Sequence, residues 1–260
     1  MDLNLRGRTA LVTGASKGIG LATAECLAGE GVNIILVSRT QADLDAARER
    51  IAARHNVAIE VHAYDLSDSR NVDRLAADHS GIDILVNNAG AIPGGDLQAI
   101  DEQRWRDAWD LKVFGYINMC RRFYGEMKSR RRGVIINILG MAGEKMDRGY
   151  IAGSTGNAAL MAFTKALGGS AGDDGLRVVG INPGAIATDR LITIMKTRAQ
   201  DRFGDENRWQ ELMQPLPMGR AGKPEEIGVM VALLASDLSA YTTGTIITID
   251  GGAANRGPMF

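Results

Sequence analysis

Two stretches of the chain carry residue types at spacings that could do chemistry. The first is "TGASKGIG", residues 13–20, with glycines at Gly14, Gly18 and Gly20. It follows the apolar run "TALVTG" and leads into Ile19, Ala22, Thr23, Cys26 and Leu27, which recur at helical spacing. A strand, a glycine turn and a helix start in that order suit a pyrophosphate. Glycine allows a tight turn, a close approach of backbone to phosphate and close packing of helix on sheet, and the helix N-terminus adds free N–H groups and a positive dipole end. The next apolar run ends in "VSRT". It puts Arg39 where a carboxylate would hold a ribose 2′-hydroxyl and an arginine would accept a 2′-phosphate. With Lys17 inside the glycine loop, this favours NADP (NADPH) over NAD by charge pairing; the alternative is two solvated charges with no ligand.

The second stretch is "GYIAGSTGNAAL", residues 149–160. It places a phenol, a hydroxyl and an amide (Tyr150, Ser154 and Asn157) at i, i+4 and i+7, one face of a helix. Such groups can exchange protons with a substrate oxygen or orient it. Glu144, Lys145 and Asp147 precede them on a loop. They are either solvated or place a carboxylate over the pocket for a non-redox reaction.

The elements that must position these residues alternate along the chain. Apolar runs at 9–14, 33–38, 58–65, 82–90, 133–139, 177–184 and 245–252 have strand length, and helical patterns separate them, the longest expected at about 101–128. Strands apolar on both faces and separated by helices predict a parallel sheet covered on both sides, a single doubly wound α/β domain of Rossmann type over residues 1–260. Residues 188–222 interrupt the alternation with Phe203, Trp209 and several methionines. They are expected as a substrate lid at the carboxyl edge of the sheet, or else as an ordinary helical hairpin.

Composition excludes several classes of function. A net charge of −1 gives no reason to expect nucleic acid or an acidic membrane as partner. The chain has no signal-like start and no run long enough to span a membrane. Cys26 and Cys120 suggest packing in a reducing cytoplasm. His55, His62 and His79 share no ligand-like spacing and are expected at the surface, with no metal site.

In order and spacing, "TGASKGIG", "YDLSD", "NNAG" (87–90), "GVIINI", "INPGAIATD" (182–189) and "YTTGTIITIDGG" (241–252) resemble the short-chain dehydrogenase/reductase family over nearly the whole chain. The resemblance implies a seven-stranded Rossmann domain, usually a homotetramer. It implies nucleotide contacts from Gly14, Ser16, Lys17, Gly18, Ile19 and Gly20, and from Arg39, Asp65 and Leu66, with Asp65 at the adenine. Asn87, Ala89 and Gly90 would line the cofactor, and Pro183, Gly184, Ile186 and Thr188 would hold its nicotinamide end.

The family's chemistry uses an asparagine, a serine, a tyrosine and a lysine, and none matches. Their places hold Lys112, Gly140, Gly153 and Asn157. The asparagine and lysine have traded places, so Lys112 either supplies the pocket's cation or snorkels to solvent. Tyr150, one turn before Gly153, is either a relocated acid/base or a pocket wall, and Ser154 could replace the lost carbonyl donor. Two functions follow. One is an NADP-dependent oxidoreductase acting on a carbonyl or alcohol of a small molecule through a relocated proton relay. The other is a non-redox protein on the same scaffold: an NADP-binding sensor or assembly subunit, or a lyase or isomerase.

Overall fold

A computed structural model describes residues 1–257. Seven strands form one sheet: β1 (Thr9–Thr13), β2 (Asn33–Ser38), β3 (Ile59–Ala63), β4 (Ile84–Asn87), β5 (Gly133–Ile138), β6 (Leu176–Pro183) and β7 (Ile246–Ile249). Every pairing is parallel, in the order β3-β2-β1-β4-β5-β6-β7. The expected doubly wound sheet is present, with strands shorter at the ends than the apolar runs suggested. The order reverses between β1 and β4, and ligands of such sheets bind beyond the carboxyl ends at that switch point.

Strand alternation feeds two cores. Val12, Leu36, Val86 and Ile136 face one side with Leu27, Leu44 and Val231 of helices α1 (Gly18–Gly29), α2 (Gln41–Ala52) and α8 (Pro224–Ala235). Leu11, Ile35, Leu85 and Ile135 face the other. There they meet Val72 of α3 (Ser69–Asp78), Phe123 of α5 (Gly115–Ser129) and Leu167 of α6 (Ile151–Ala171). Parallel strands covered on both faces must be largely apolar, as the central strands are.

The long helix expected at 101–128 is present and continuous over 102–129, but it carries a bulge. Helix α4 (Glu102–Trp109) passes through a π-helical turn, Asp110–Phe114, before α5 begins. The Gly115 N–H reaches back five residues to the Asp110 carbonyl. This extra residue per turn swings Lys112 inward, and periodicity alone gave no sign of it. Residues 188–222 hold helix α7 (Asp189–Phe203) and two 3₁₀ turns. The excursion leaves and returns at one point, where Ile186 pairs with Gly222. Among the described residues no helix is long and apolar enough to cross a membrane.

Two of the histidines expected at the surface meet in the fold, half-buried. His62 on β3 and His79 just after α3 face each other, Nε2 to Nε2, at 2.8 Å. Period-2 alternation puts His62 on the α3 side of the edge strand, and His79 ends that helix.

Asn87 also departs from expectation. Its side chain is fully buried between strands, where its Nδ2 donates to Asn137 Oδ1 at 2.9 Å; Asn137 Nδ2 in turn donates to Thr164 Oγ1 of α6 at 3.0 Å. The side chain therefore ties β4, β5 and α6 together and does not line a cleft. Asn137→Ala removes the middle of this chain and leaves Asn87 Nδ2 with only the Cys120 sulfur at 3.4 Å, while Thr164 keeps its bond to the Leu160 carbonyl at 2.7 Å. It is expected to cost about 1–3 kcal/mol, measured as a lower urea midpoint with unchanged slope.

Candidate functional site

The residues expected at the nucleotide end meet at the carboxyl ends of β1 to β4. Gly14 and Gly18 have positive φ, +63° and +56°, which favours glycine. A Cβ on Gly20 would fall on the Gly14 carbonyl oxygen, so α1 can pack this close to the turn only with glycine there. Lys17, at the N-cap of α1, makes no side-chain cap bond, and the first turn holds no acid. Its N–H groups are thus left for an anion. Thr188 closes over this turn: its methyl would sit 3.0 Å from a Cβ on Gly18, while its hydroxyl caps α7.

Beside the turn is a cleft of about 180 Å³ lined by Gly14, Ser16, Arg39, Leu66, Ala89 and Gly90, with Tyr64 and Leu111. Six expected residues meet there; Tyr64 and Leu111 were not expected. Asp65 lies next door, exposed, its carboxylate accepting from the Ser67 N–H and hydroxyl. The two cations differ. Lys17 is engaged by Asp43 at 2.9 Å, so its charge is partly spent. Arg39 is exposed at the end of β2 and forms no ion pair among the described residues. At the far end, Pro183 completes β6, and Gly184 packs where a Cβ would lie 2.7 Å from Asp250 Cβ. Ile186 lines a second cavity of about 210 Å³ with Met141, Leu216 and Met218, so the 188–222 excursion forms one of its walls.

Tyr150, at the reaction end, is held by backbone. The strand-like bridge between Gly95 and Tyr150 sets the start of α6, with Gly95 N–H donating to Gly149 O at 2.8 Å. Its ring packs against the cluster of Ile92, Ala108 and Ala152, and a Cβ on Gly153 would fall on ring atoms Cε1 and Cζ. The Tyr150 ring therefore occupies the root of the space a residue-153 side chain would take. Its hydroxyl lies one bond further on, short of where a tyrosine at 153 would end. Burial raises its pKa above the usual 10, with Arg190 pulling the other way.

The other three candidates are engaged in the fold. Ser154 Oγ accepts from the Asp147 N–H at 3.0 Å and donates to the Asp147 carbonyl at 3.3 Å. The hydroxyl thus staples the preceding loop to α6, which corrects its expected role as a free carbonyl donor. Asn157 Nδ2 donates to the Gly153 carbonyl at 2.8 Å, and its amide would stand 3.1 Å from a Cβ on Gly140. The amide thus covers the space beside Gly140. Its Oδ1 is buried without a partner. Lys112 is neither snorkelling nor free: it is 7% exposed, its stem against Gly90 and its Nζ donating to Ile138 O at 2.7 Å and Tyr116 Oη at 2.8 Å. Tyr116 Oη donates to the same carbonyl at 2.8 Å. Burial lowers the Lys112 pKa to about 7. Tyr116 went unnoticed in the sequence, although i, i+4 spacing from Lys112 was the available signal.

Glu144 is exposed, yet its Oε2 accepts from Thr248 at 2.8 Å and Asn182 at 3.2 Å. It bridges β6 and β7 from the loop after β5. The glycine cradle, the uncapped helix start, free Arg39 and orphaned Asn157 Oδ1 together fit a phosphorylated dinucleotide. The amide oxygen is a buried acceptor suited to a ribose hydroxyl.

Lys112 makes stability depend on pH. Its folded pKa, about 7, lies below the ordinary 10.5, so between those values the unfolded chain binds more protons. Stability therefore rises with pH across that window, by up to about 1.4 kcal/mol per unit for this group. Urea midpoints of the wild type are expected to climb from neutral pH towards about pH 10 relative to Lys112→Met; parallel curves would contradict a depressed lysine.

The comparisons agree with this geometry. The family model described as "Enoyl-(Acyl carrier protein) reductase" matches residues 14–254. A 2-keto-3-deoxy-L-fuconate dehydrogenase of Xanthomonas campestris pv. campestris is 34% identical over 257 residues, covering 98% of this chain and 82% of that one. The 3-oxoacyl-(acyl-carrier-protein) reductase of Escherichia coli is 32% identical over 251 residues, 96% and 98% of the two chains. The crystal structure of L-sorbose reductase from Gluconobacter frateurii, complexed with NADPH and L-sorbose, superposes with a TM-score of 0.92 at 31% identity, covering 99% and 100%. From its sheet order, its glycine cradle and these likenesses, the chain belongs to the short-chain dehydrogenase/reductase family.

Proposed function

We propose that the protein is an NADP-dependent oxidoreductase that reduces a carbonyl of a small molecule, with Tyr150 as its proton donor. The observation that carries this reading is the Tyr150 ring, seated against Gly153 where the family's tyrosine would start. The complete cofactor cradle supports it, as does the NADPH named for L-sorbose reductase. Arg39 is the residue for the 2′-phosphate, with Lys17 a weaker contributor because Asp43 shares its charge. Ala89 and Gly90 flank the cleft, and Asn157 Oδ1, buried without a partner, would accept from a hydroxyl of the nicotinamide ribose.

When bound, the reduced nicotinamide supplies the hydride. The chain supplies the proton. A phenol with a raised pKa stays protonated, and so able to donate, at neutral and mildly alkaline pH, while burial also makes it a weaker acid than a free phenol. The Tyr150 hydroxyl stops short of the family position, so a water or a substrate hydroxyl passes its proton to the carbonyl oxygen. Lys112 acts from below by holding Tyr116 and the Ile138 carbonyl, which fixes the end of β5 beneath the pocket. It is a positioning residue. The 188–222 excursion walls the cavity at Ile186 and serves as the substrate lid. The homotetramer belongs to this reading, and light scattering on the eluting protein checks it.

A second reading is an NADP-binding protein without hydride transfer, a sensor, an assembly subunit or a lyase or isomerase. It is favoured by the engagement of Ser154, Asn157 and Lys112 in structural hydrogen bonds.

NADPH is expected to bind more tightly than NADH. Arg39→Ala is expected to lower NADPH affinity by about 1.5–3 kcal/mol and leave NADH affinity unchanged, by isothermal titration. Equal affinities would remove the charge argument. With NADPH and a panel of small ketones and ketoses, turnover is expected to hold steady past pH 9 and to fall about 100-fold or more in Tyr150→Phe. Turnover that survives this change would contradict Tyr150 as donor. Cofactor binding with no turnover on any panel member would bring the second reading forward.

A further inference from the structure

A group of metal-type donors lies away from the cleft, on the outermost strand. Glu60 and His62 are two residues apart on β3, so both project to the face covered by α3, while Ile59 and Val61 pack on the other. His79 follows the last residue of α3 and reaches back over the same spot. The two Nε2 atoms are 2.8 Å apart, Glu60 Oε2 lies 4.0 Å from His79 Nε2, and all three donor atoms fall within 4.8 Å of one another. The imidazoles meet edge to face, with centroids 4.7 Å apart.

We propose that Glu60, His62 and His79 form a binding site for a zinc-class divalent cation that clamps the edge strand β3 to the end of α3. A hydrogen bond between two neutral imidazoles uses one proton and leaves the nearby carboxylate idle, whereas an ion engages all three donors. Two imidazoles and one carboxylate are a borderline-soft set that suits zinc, with a water in the fourth position. At zinc–nitrogen bonds of about 2.0–2.1 Å, a tetrahedral ion separates its two nitrogens by roughly 3.4 Å. The present pair reaches that spacing by a small rotation of either ring. Other charges nearby favour a cation. The Asp78 carboxylate also acts on His62, and among the described residues no lysine or arginine pairs with Glu60. His79 is sheltered, with 11% of its side chain exposed, while Glu60, at 63%, leaves a path for the ion. The site is independent of the redox reading, since none of its residues lines the cleft.

The test is a zinc titration of the full chain without a histidine tag, by isothermal calorimetry in buffer cleared of metal. One zinc per chain is expected. His62→Gln and His79→Gln are each expected to weaken binding about tenfold or more, and Glu60→Gln less. His55→Gln, which removes the third histidine of the chain, is expected to bind as the wild type. Zinc is also expected to raise the thermal midpoint of the wild type and of His55→Gln, but not that of His62→Gln. The absence of saturable binding would overturn the site, as would wild-type affinity in both His62→Gln and His79→Gln. Loss of binding in His55→Gln would overturn it too. Because Glu60 is exposed, Glu60→Gln keeps the test decisive even if a histidine variant fails to fold.

Discussion

A buried lysine sets the arrangement of the reaction end. Taking an ammonium out of water costs several kcal/mol unless the charge is shed or paired. Lys112 meets that demand with two acceptors, the Ile138 carbonyl and the Tyr116 hydroxyl, and with a pKa lowered to about 7. The backbone accommodates it with a π-helical turn, which points the side chain inward under Gly90. Tyr116, four residues on, follows it into the core and is 2% exposed. The lysine's head is thus fixed to the end of β5, and the loop that follows, at Gly140, leaves space that the Asn157 amide covers.

The two halves of the site differ in character. The nucleotide half is fixed by close backbone approach, at Gly14, Gly18 and Gly20, and by one exposed arginine. It does not depend on which side chains carry the chemistry. The reaction half depends on side chains, and most of its polar groups are occupied: Ser154 by Asp147, Asn157 Nδ2 by Gly153, Lys112 by Ile138. Tyr150 remains, with a hydroxyl that makes no hydrogen bond among the described residues and a ring filling space left by Gly153. A proton donor reached through water demands less of side-chain placement than a direct one. That is compatible with a site where most side chains are held by structural hydrogen bonds.

Sequence patterns made the fold and the nucleotide half legible because both rest on local signals. Seven apolar runs, the spacing of three glycines and an arginine at the end of the second strand are all contiguous features. Side-chain commitments at the reaction end were not legible. Nothing in "GYIAGSTGNAAL" says that Ser154 turns back to Asp147, and a helical pattern through 101–128 hides an extra residue at 110–114. The meeting of His62 and His79 was equally hidden. They are 17 residues apart in sequence, and only the packing of α3 on β3 brings them together. The resemblance assigned Asn87 to the cofactor, but its buried bond to Asn137 shows the side chain serving the sheet.

The central claim is that Tyr150 has taken over as proton donor, and a crystal structure with NADP⁺ and a bound alcohol product tests it most directly. The account predicts the Tyr150 hydroxyl within hydrogen-bond reach of the product oxygen, directly or through one ordered water, on the nicotinamide C4 face. A product oxygen surrounded only by apolar groups, with Tyr150 still packed against Ile92 and Ala152 and no water between its hydroxyl and the product, would contradict it.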